Sequence, residues 1–387
     1  MVEQCPQCLY DSRHPFGLTL IKGECSGCHT HREKDQLDWS QRYQLLQQRL
    51  ASRRHRGTYD CVVPVCGDAE DYYVLDQVLK LGLHPLVVVV NDYFMNDIGW
   101  HNLHNLITHF DVDSMVYNPD MRAYQELIRT CLRKLNHLLW PALALRTAYP
   151  MHVAHDRGIP WVITGQLQAV EQVGKFSHTE AADISQWSRL EHDLFNQSVE
   201  AVIGTGAQLQ DRVLAYYRYP AVASLAKVGV QGVYLSNYLR WDPLAQNRLA
   251  LTQGYQPQRQ SSTFDCYERA GSSVYYQLHD LLKFKRHGYR KVTDHLVRER
   301  RHGRITLDEA QGLQHHYLHQ KVNIRPFFDW LGVTESGYQW FVEHQLGDVK
   351  PLVGEPDAAP KLPQALADML ETGSDPSRDF IPFAKGI

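Results

Sequence analysis

The chain has 387 residues, of which 43% are apolar and 21% are charged. This composition excludes a disordered, collagenous or coiled-coil protein, and the length favours about two to three domains. Its 40 basic and 43 acidic residues give a formal net charge of −3, so the molecule as a whole is not a polycation built to coat nucleic acid or membrane. No run reaches the roughly 18 apolar residues of a membrane span, and no secretory signal begins the chain. We therefore expect a cytoplasmic protein without a membrane span.

Residues 1–35 are predicted to form a zinc-ribbon module. Two Cys-x-x-Cys pairs, separated by sixteen residues, supply the thiolates Cys5, Cys8, Cys25 and Cys28. Two such pairs present four ligands to one tetrahedral Zn²⁺, and a site with four protein ligands is structural because no position stays open for water or substrate. The metal-free alternative is four unrelated thiols or a redox pair, but a redox motif would require only one Cys-x-x-Cys.

Residues 36–57 read as a linking helix, and residues 58–233 as an α/β core. Apolar runs alternate there with helical patterns, which predicts a doubly wound parallel sheet. The run Leu86–Val90 is typical of a parallel strand buried on both faces. The predicted strands are Tyr59–Val65, Leu86–Val90, Ser114–Tyr117, Trp161–Thr164 and Ala201–Gly204. Because ligands of such sheets bind beyond the carboxyl ends of the strands, the loop after Val65 is the expected site.

Helical signals dominate from residue 234 to residue 350, which we expect to form a mostly helical C-terminal domain. Thr306 and Glu309, for example, form a capping box at the start of a helix. Residues 351–387 read as a proline-rich linker and a tail, because four prolines fall within 351–364. No internal repeat is visible.

Several segments together resemble the N-acetyl sugar amidotransferases of bacterial surface-glycan biosynthesis, a family of PP-loop proteins. The similarity covers most of the chain. Its segments are the two Cys-x-x-Cys pairs, Tyr59–Val65, Gly99–Leu103, Tyr234–Tyr238, Phe264–Asp265, His279–Phe284, Thr293–Asp294 and Arg301–Thr306.

This resemblance implies a zinc-bearing module on an ATP-pyrophosphatase core. In such a family, ATP and Mg²⁺ adenylate the oxygen of a sugar's acetamido group, and ammonia displaces AMP to leave an acetamidino group. The substrate would be a sugar or a nucleotide-linked sugar, and the ammonia would come from a separate glutaminase with a channel-forming partner. The matched segments make Asn102, Lys283 and Asp294 candidate substrate ligands.

The phosphate-binding loop departs from the family pattern. Where the family reads Ser-Gly-Gly-Lys-Asp-Ser, this chain has Cys66-Gly67-Asp68-Ala69-Glu70-Asp71. Such a loop holds pyrophosphate through consecutive backbone N–H groups at a helix N-terminus, helped by the lysine that is Ala69 here. A carboxylate about 4 Å from a phosphate charge adds roughly 4 kcal/mol of repulsion at an effective dielectric constant near 20. Ordinary ATP binding by this loop is therefore disfavoured.

Two interpretations of the loop acids stay open: they hold Mg²⁺ against a phosphate, or they cap the helix. Cys66, Gly67, Asp68 and Ala69 remain the candidate nucleotide-binding residues, with Glu70 and Asp71 as candidate catalytic acids. A thiol nucleophile at Cys66 is conceivable, but a small turn residue is the simpler interpretation.

Two further positions complete the candidate site. Gln166 stands where the family tends to carry glutamate, and glutamine cannot act as a general base, so the third candidate catalytic position is also altered. Asp92 follows the valine-rich strand and could bind a ribose or a metal, or cap the next element.

Three hypotheses follow for the function. The sequence favours an enzyme, an amidotransferase-like protein with altered nucleotide use. The second hypothesis is a homologue whose loop is non-functional or rewired and which binds a substrate or partner, or performs different chemistry. The third is an RNA-modifying enzyme, because residues 283–304 carry nine basic side chains against two acidic ones. We do not favour nucleic acid, since this block belongs to the segments that resemble the sugar family, and a solvated helical face is its simplest interpretation.

Overall fold

The computed structural model describes residues 3–52, 57–180, 183–204 and 209–370. The strands are β1 Leu20–Ile21, β2 Glu24–Cys25, β3 Cys61–Val65, β4 Pro85–Val90, β5 Ser114–Tyr117, β6 Trp161–Thr164 and β7 Gln231–Tyr234. The helices of the N-terminal half are α1 Ser26–Glu33, α2 Trp39–Ala51, α3 Ala69–Lys80, α4 Asp97–Phe110, α5 Met121–Leu135, α6 Trp140–Arg157, α7 Gln168–Glu171, α8 Gln186–Ser188 and α9 Val199–Ile203. The later helices are α10 Asp211–Leu214, α11 Val222–Val228, α12 Pro243–Thr252, α13 Ser273–His287, α14 Lys291–Arg301, α15 Leu307–Leu318, α16 Arg325–Trp330, α17 Glu335–Gln345 and α18 Gln364–Leu370.

Five strands form one parallel sheet in the order β5-β4-β3-β6-β7. Alternate residues of each strand face opposite layers, because successive side chains of a strand point to opposite faces. Val62 and Val88 pack with the helices α5 and α6, whereas Val63 and Val87 pack with α3 and α12. The predicted fold class is confirmed: the protein is an α/β protein whose parallel sheet is covered on both faces.

The predicted strand Ala201–Gly204 is wrong, because this segment belongs to the helix α9. Ser198 caps that helix by accepting a hydrogen bond from the Ala201 N–H, and Val199 and Val202 are buried at helical spacing. The fifth strand is instead β7, which pairs with β6. Position 232 in this strand requires glycine because Ile184 packs closely against it: a Cβ at Gly232 would lie 2.3 Å from the Cβ of Ile184.

Helices dominate the chain after β7, as predicted, but they do not form a separate core. Leu278 and Leu282 of α13 and Phe327 of α16 belong to the same buried cluster as α5 and α6. The helical region is thus packed directly against one face of the sheet. Within the described residues, no helix is both long and apolar enough to cross a bilayer. Residues 371–387 of the predicted tail lie outside the described part of the chain.

Candidate functional site

The loops after β3 and β6 meet where the order of the strands reverses: β4 lies on one side of β3 and β6 on the other. Open parallel sheets bind ligands beyond the strand ends at such a point. A cavity of about 150 Å³, here the smaller cavity, is lined there by Asp68, Glu70 and Gln166. A larger cavity of about 430 Å³ adjoins it, and both are lined by Glu268 and Arg269. The two form one cleft.

The backbone N–H groups of the loop after β3 all donate to one carboxylate of the protein itself. Asp71 Oδ2 accepts hydrogen bonds from the N–H groups of Cys66, Gly67 and Asp68, at 2.7, 2.8 and 3.1 Å. Gly67 has a φ of 85°, which turns the N–H groups inward and favours glycine. These are the donors that would hold a pyrophosphate in the family that the sequence resembles. Asp71 therefore fills the anion-binding nest.

The other two loop acids also accept hydrogen bonds from backbone. Glu70 Oε1 accepts the Gln166 N–H at 2.8 Å, and Asp68 Oδ1 accepts the Arg269 N–H at 3.0 Å. Burial raises the pKa of Asp68 to about 7 and that of Glu70 to about 8, and the charge of Asp71 contributes to both shifts. Both side chains line the smaller cavity, so they can exchange a proton with a ligand near neutral pH.

Glu70 joins the two loops of the switch point. Gly165 directly precedes Gln166, and a Cβ on Gly165 would lie 1.9 Å from Glu70 Oε1. The absence of a side chain at this position is what lets the glutamate reach the backbone of the loop after β6. The Gln166 side chain lines the smaller cavity.

Cys66 is a turn residue held by the loop acids. Its thiol donates to Asp68 Oδ2 at 3.4 Å, and burial raises the pKa of this thiol well above its ordinary value, with both Asp68 and Asp71 adding to the effect. Because the thiolate is the nucleophilic form, these surroundings oppose a nucleophilic role.

Asp92 and Asn102 line neither cavity. Asp92 is fully buried, pairs with Arg146 at 2.6 Å, and accepts a hydrogen bond from a backbone N–H two residues on. Asn102 is also fully buried, and its amide bonds both the N–H and the C=O of Gln256. Both residues hold loops in place.

Lys283 and Asp294, by contrast, line the larger cavity as a buried ion pair of 2.7 Å. The other carboxylate oxygen of Asp294 accepts the Tyr10 hydroxyl at 2.8 Å. Tyr10 belongs to the N-terminal module, so the module contributes directly to the cleft. The Lys283 charge holds the pKa of Asp294 down to about 2, against the effect of burial.

Arg269 is a cleft residue that no sequence motif indicated. It lines both cavities, and its backbone has a left-handed φ of 56°, which is uncommon for a residue other than glycine. Its guanidinium stacks over Tyr276 at 4.3 Å from the ring centre. Among the described residues, its Nη1 atom has no hydrogen-bond partner although it is buried. Such a donor at the junction of the two cavities is suited to an anionic group of a ligand.

A second unpredicted feature of the cleft is a chain of hydrogen bonds formed by Thr263, His295 and Glu268. His295 Nδ1 lies 2.7 Å from Thr263 Oγ1, and its Nε2 lies 2.9 Å from Glu268 Oε2. Lys291 pairs with the other oxygen of Glu268 at 2.8 Å. The three charged or polar side chains Glu268, Lys291 and His295 line both cavities. The chain of hydrogen bonds fixes their orientation.

The basic block of residues 283–304 is an internal ion-pair network, so the interpretation as a solvated face is wrong for most of it. Lys285 and Arg286 are exposed, whereas Arg290 is fully buried. The ion pairs of the block include Lys283–Asp294, Arg290–Asp280, Lys291–Glu268, Arg298–Asp265 and Arg304–Glu299. Paired and inward-facing cations do not form the exposed stripe that grips a nucleic-acid backbone.

The four cysteines of the N-terminal module come together as one buried cluster. Their sulfur atoms all lie within 4.8 Å of one another, and none forms a disulfide. Backbone N–H groups of Tyr10 and Cys25 point at the sulfurs of Cys8 and Cys5, at 3.5 and 3.3 Å. A compact set of four thiol ligands suits a tetrahedral thiophilic ion such as zinc. The predicted ligand set is therefore brought together.

The module is packed against the loop after β6. Ser26 Oγ donates to the Val173 carbonyl at 2.9 Å, and Gly174 approaches the Ser26 backbone so closely that a Cβ would lie 2.3 Å from its carbonyl oxygen. Arg301 bonds the carbonyl of Gln172 and lies 3.7 Å from Cys25 Sγ. A metal in the cysteine cluster would thus stabilise one wall of the cleft.

The fold is that of a doubly wound α/β protein, and the cleft at its switch point is the candidate ligand site. Residues 261–347 match the family model described as "LPS biosynthesis protein WbpG-like, C-terminal domain". This region contains the helices α13 to α17 and several of the segments that resemble the glycan-biosynthesis family, so the match supports that family.

The chain has no match among curated proteins. A solved structure that aligns with it is the NMN synthetase from Francisella tularensis, at 14% sequence identity and a TM-score of 0.28. The alignment covers 55% of this chain and 96% of that chain. The fold assignment rests on the strand order and pairing described above.

Proposed function

We propose that this protein acts in surface-glycan biosynthesis by binding a sugar or a nucleotide-linked sugar in the cleft, with a loop that no longer holds the pyrophosphate of ATP. This is the second of the three hypotheses, a homologue with a rewired loop. The observation that carries it is the occupation of the anion-binding nest by Asp71. The WbpG-like match over residues 261–347 supports the biosynthetic setting.

A phosphate entering the nest would compete with the carboxylate of Asp71 that is already in place. A hydrogen bond to a charged group contributes about 1.5–3 kcal/mol, so the three bonds to Asp71 are worth roughly 5–9 kcal/mol, and a phosphate would gain these donors only by breaking them. The displaced carboxylate would also stay near the incoming phosphate, where like charges about 4 Å apart repel by roughly 4 kcal/mol. Ala69 offers no positive charge in return.

The ligand's anionic group has a better partner elsewhere in the cleft. Arg269 lines both cavities and retains a buried Nη1 atom that no described residue pairs. Lys291 stands beside it on the same walls. A phosphate or carboxylate of a sugar ligand at this junction would leave the loop after β3 untouched.

The cysteine cluster would hold a structural Zn²⁺.

The ATP-dependent amidotransferase remains the second candidate. Five cations line the smaller cavity together with the loop acids: Lys34, Arg269, Lys291, Arg298 and Arg301. This reaction would need Mg²⁺ and an ammonia-supplying partner, and it would need Asp71 to leave the nest.

Calorimetric titration with ATP and Mg²⁺ separates the two candidates. The wild-type protein is expected to show no binding at millimolar nucleotide, and Asp71→Ala is expected to gain binding because it frees three N–H donors. Asp76→Ala is the matched control, since Asp76 lies on the same helix and pairs with Lys80 at the surface. Binding by the wild type, with release of AMP and pyrophosphate, would establish the amidotransferase instead.

A further inference from the structure

One wall of the larger cavity is made of aromatic side chains in a continuous row. It consists of His14, His137, His192 and His279 with Phe16 and Phe195, and we call it the histidine wall. Neighbouring ring centres are 4.4 to 5.7 Å apart along the row. None of the six side chains lines the smaller cavity, so the wall is separate from the loop acids.

Several nitrogen atoms of the wall are buried without a hydrogen bond. Among the residues that the structure describes, neither ring nitrogen of His137 has a partner, and the same is true of Nδ1 of His192 and of His279. His137 is only 5% exposed. Buried polar atoms are nearly always paired, so a cluster of unpaired nitrogens on a cavity wall indicates a missing ligand or water.

The backbone that carries part of the wall is irregular. Residues Arg189–Asp193 form a π-helical turn, and Phe195 and Asn196 both have left-handed φ angles, of 53° and 60°. Arg189 holds this turn from behind by donating to the carbonyls of Ala144 and Tyr217. π-turns and left-handed residues other than glycine are frequent at functional sites, where the surrounding structure maintains them.

The wall is uncharged near neutral pH. Burial lowers the pKa of His14 and of His137 to about 3 and that of His192 to about 4. A neutral imidazole offers one N–H donor and one nitrogen acceptor. Burial also lowers the pKa of His279, and the nearby charges of Lys283, one turn further along α13, and Arg269 add to this effect.

We infer that the histidine wall is a binding subsite for the uncharged, amide-bearing ring of a ligand. An amide carries one donor and one acceptor, which match the donor and acceptor of a neutral histidine, and a ring presents C–H faces to Phe16 and Phe195. The inference rests on the proposed function, because it assigns one part of the glycan ligand to this wall and leaves the anionic part to Arg269. Two sources share this chemistry: the acetamido group of an amino sugar and the base of a pyrimidine nucleotide.

The test uses the full chain and three probes: UDP-N-acetylglucosamine, N-acetylglucosamine and uridine. Binding is followed by calorimetry and by saturation-transfer NMR. The variant His137→Phe keeps the ring and removes both nitrogens, so its dissociation constant should rise about threefold to tenfold for each hydrogen bond lost. His344→Phe, whose ring stacks on Trp340 in α17, is the matched control and should bind like the wild type.

Thermal unfolding provides the second measurement. Because His137→Phe removes two unpaired buried nitrogens, the free variant should unfold at the same or a higher temperature than the wild type, which separates lost binding from lost folding. If His137→Phe weakens the binding of N-acetylglucosamine but not of uridine, the wall binds the sugar. If it weakens the binding of uridine but not of N-acetylglucosamine, the wall binds the base. If none of the probes binds, or if His137→Phe binds UDP-N-acetylglucosamine as the wild type does, the inference is overturned. Unchanged UDP-sugar binding by that variant would still leave the proposed function standing, whereas ATP binding by the wild-type loop would contradict the proposed function alone.

Discussion

Glu70 should contribute stability that is lost as the pH rises from about 5 to above 8, and this loss is read from the difference between the wild type and a variant at this position. Its folded-state pKa is raised from 4.5 to about 8, chiefly by burial. The folded state therefore binds a proton that the unfolded state has already released, and stability declines with pH between the two values. Each pH unit in this interval is worth about 1.4 kcal/mol, so the full loss from Glu70 is about 5 kcal/mol.

The variant Glu70→Gln isolates this contribution. Glutamine keeps an oxygen that accepts the Gln166 N–H but cannot ionise, so the variant should lose less stability than the wild type over the same pH range. The assay is urea unfolding at pH 5, 7 and 8.5, followed by circular dichroism. Glu126→Gln serves as the control, because Glu126 pairs with arginines at the surface. Parallel pH profiles for Glu70→Gln and the wild type would refute the reasoning.

Two further predictions concern the scaffold. Cys28→Ser should reduce bound zinc from about one ion per chain to near none by elemental analysis, and it should lower the unfolding temperature because structural zinc contributes folding energy. Cys266→Ser, which lies outside the cluster, is the control and should keep its zinc. A full zinc content in Cys28→Ser would disprove the assignment. Arg290→Met should cost about 3–5 kcal/mol in urea unfolding, because it leaves the buried Asp280 carboxylate unpaired. Lys285→Met removes an exposed charge and should cost little; a loss for Arg290→Met as small as that would contradict the predicted role of the buried pair.

The parallel sheet was predictable where the strands are continuous and apolar. Ser114–Tyr117 and Trp161–Thr164 have the predicted bounds, and Leu86–Val90 differs by one residue. The segment Ala201–Gly204 misled because a short apolar run cannot be assigned to strand or helix from its pattern alone. The strand Gln231–Tyr234 was missed because it contains a glycine and only one β-branched residue.

The candidate site was predictable only in part, because its contacts join distant segments. The four cysteines follow from their spacing, and the loop acids were expected to have a capping role as one alternative. Asp71 alone accepts hydrogen bonds from three consecutive N–H groups. This arrangement depends on the backbone turn at Gly67, which the sequence does not reveal. Arg269 and the histidine wall come from positions between 14 and 279, and only the folded chain brings them to one cleft.

The proposed function depends most on the occupation of the anion-binding nest by Asp71. The direct measurement is the amide NMR signals of Cys66, Gly67 and Asp68 during titration with ATP and Mg²⁺. We predict that these signals stay unchanged at millimolar nucleotide, because their N–H groups already donate to Asp71. Saturable shifts of all three signals, with AMP appearing in the solution, would contradict the account.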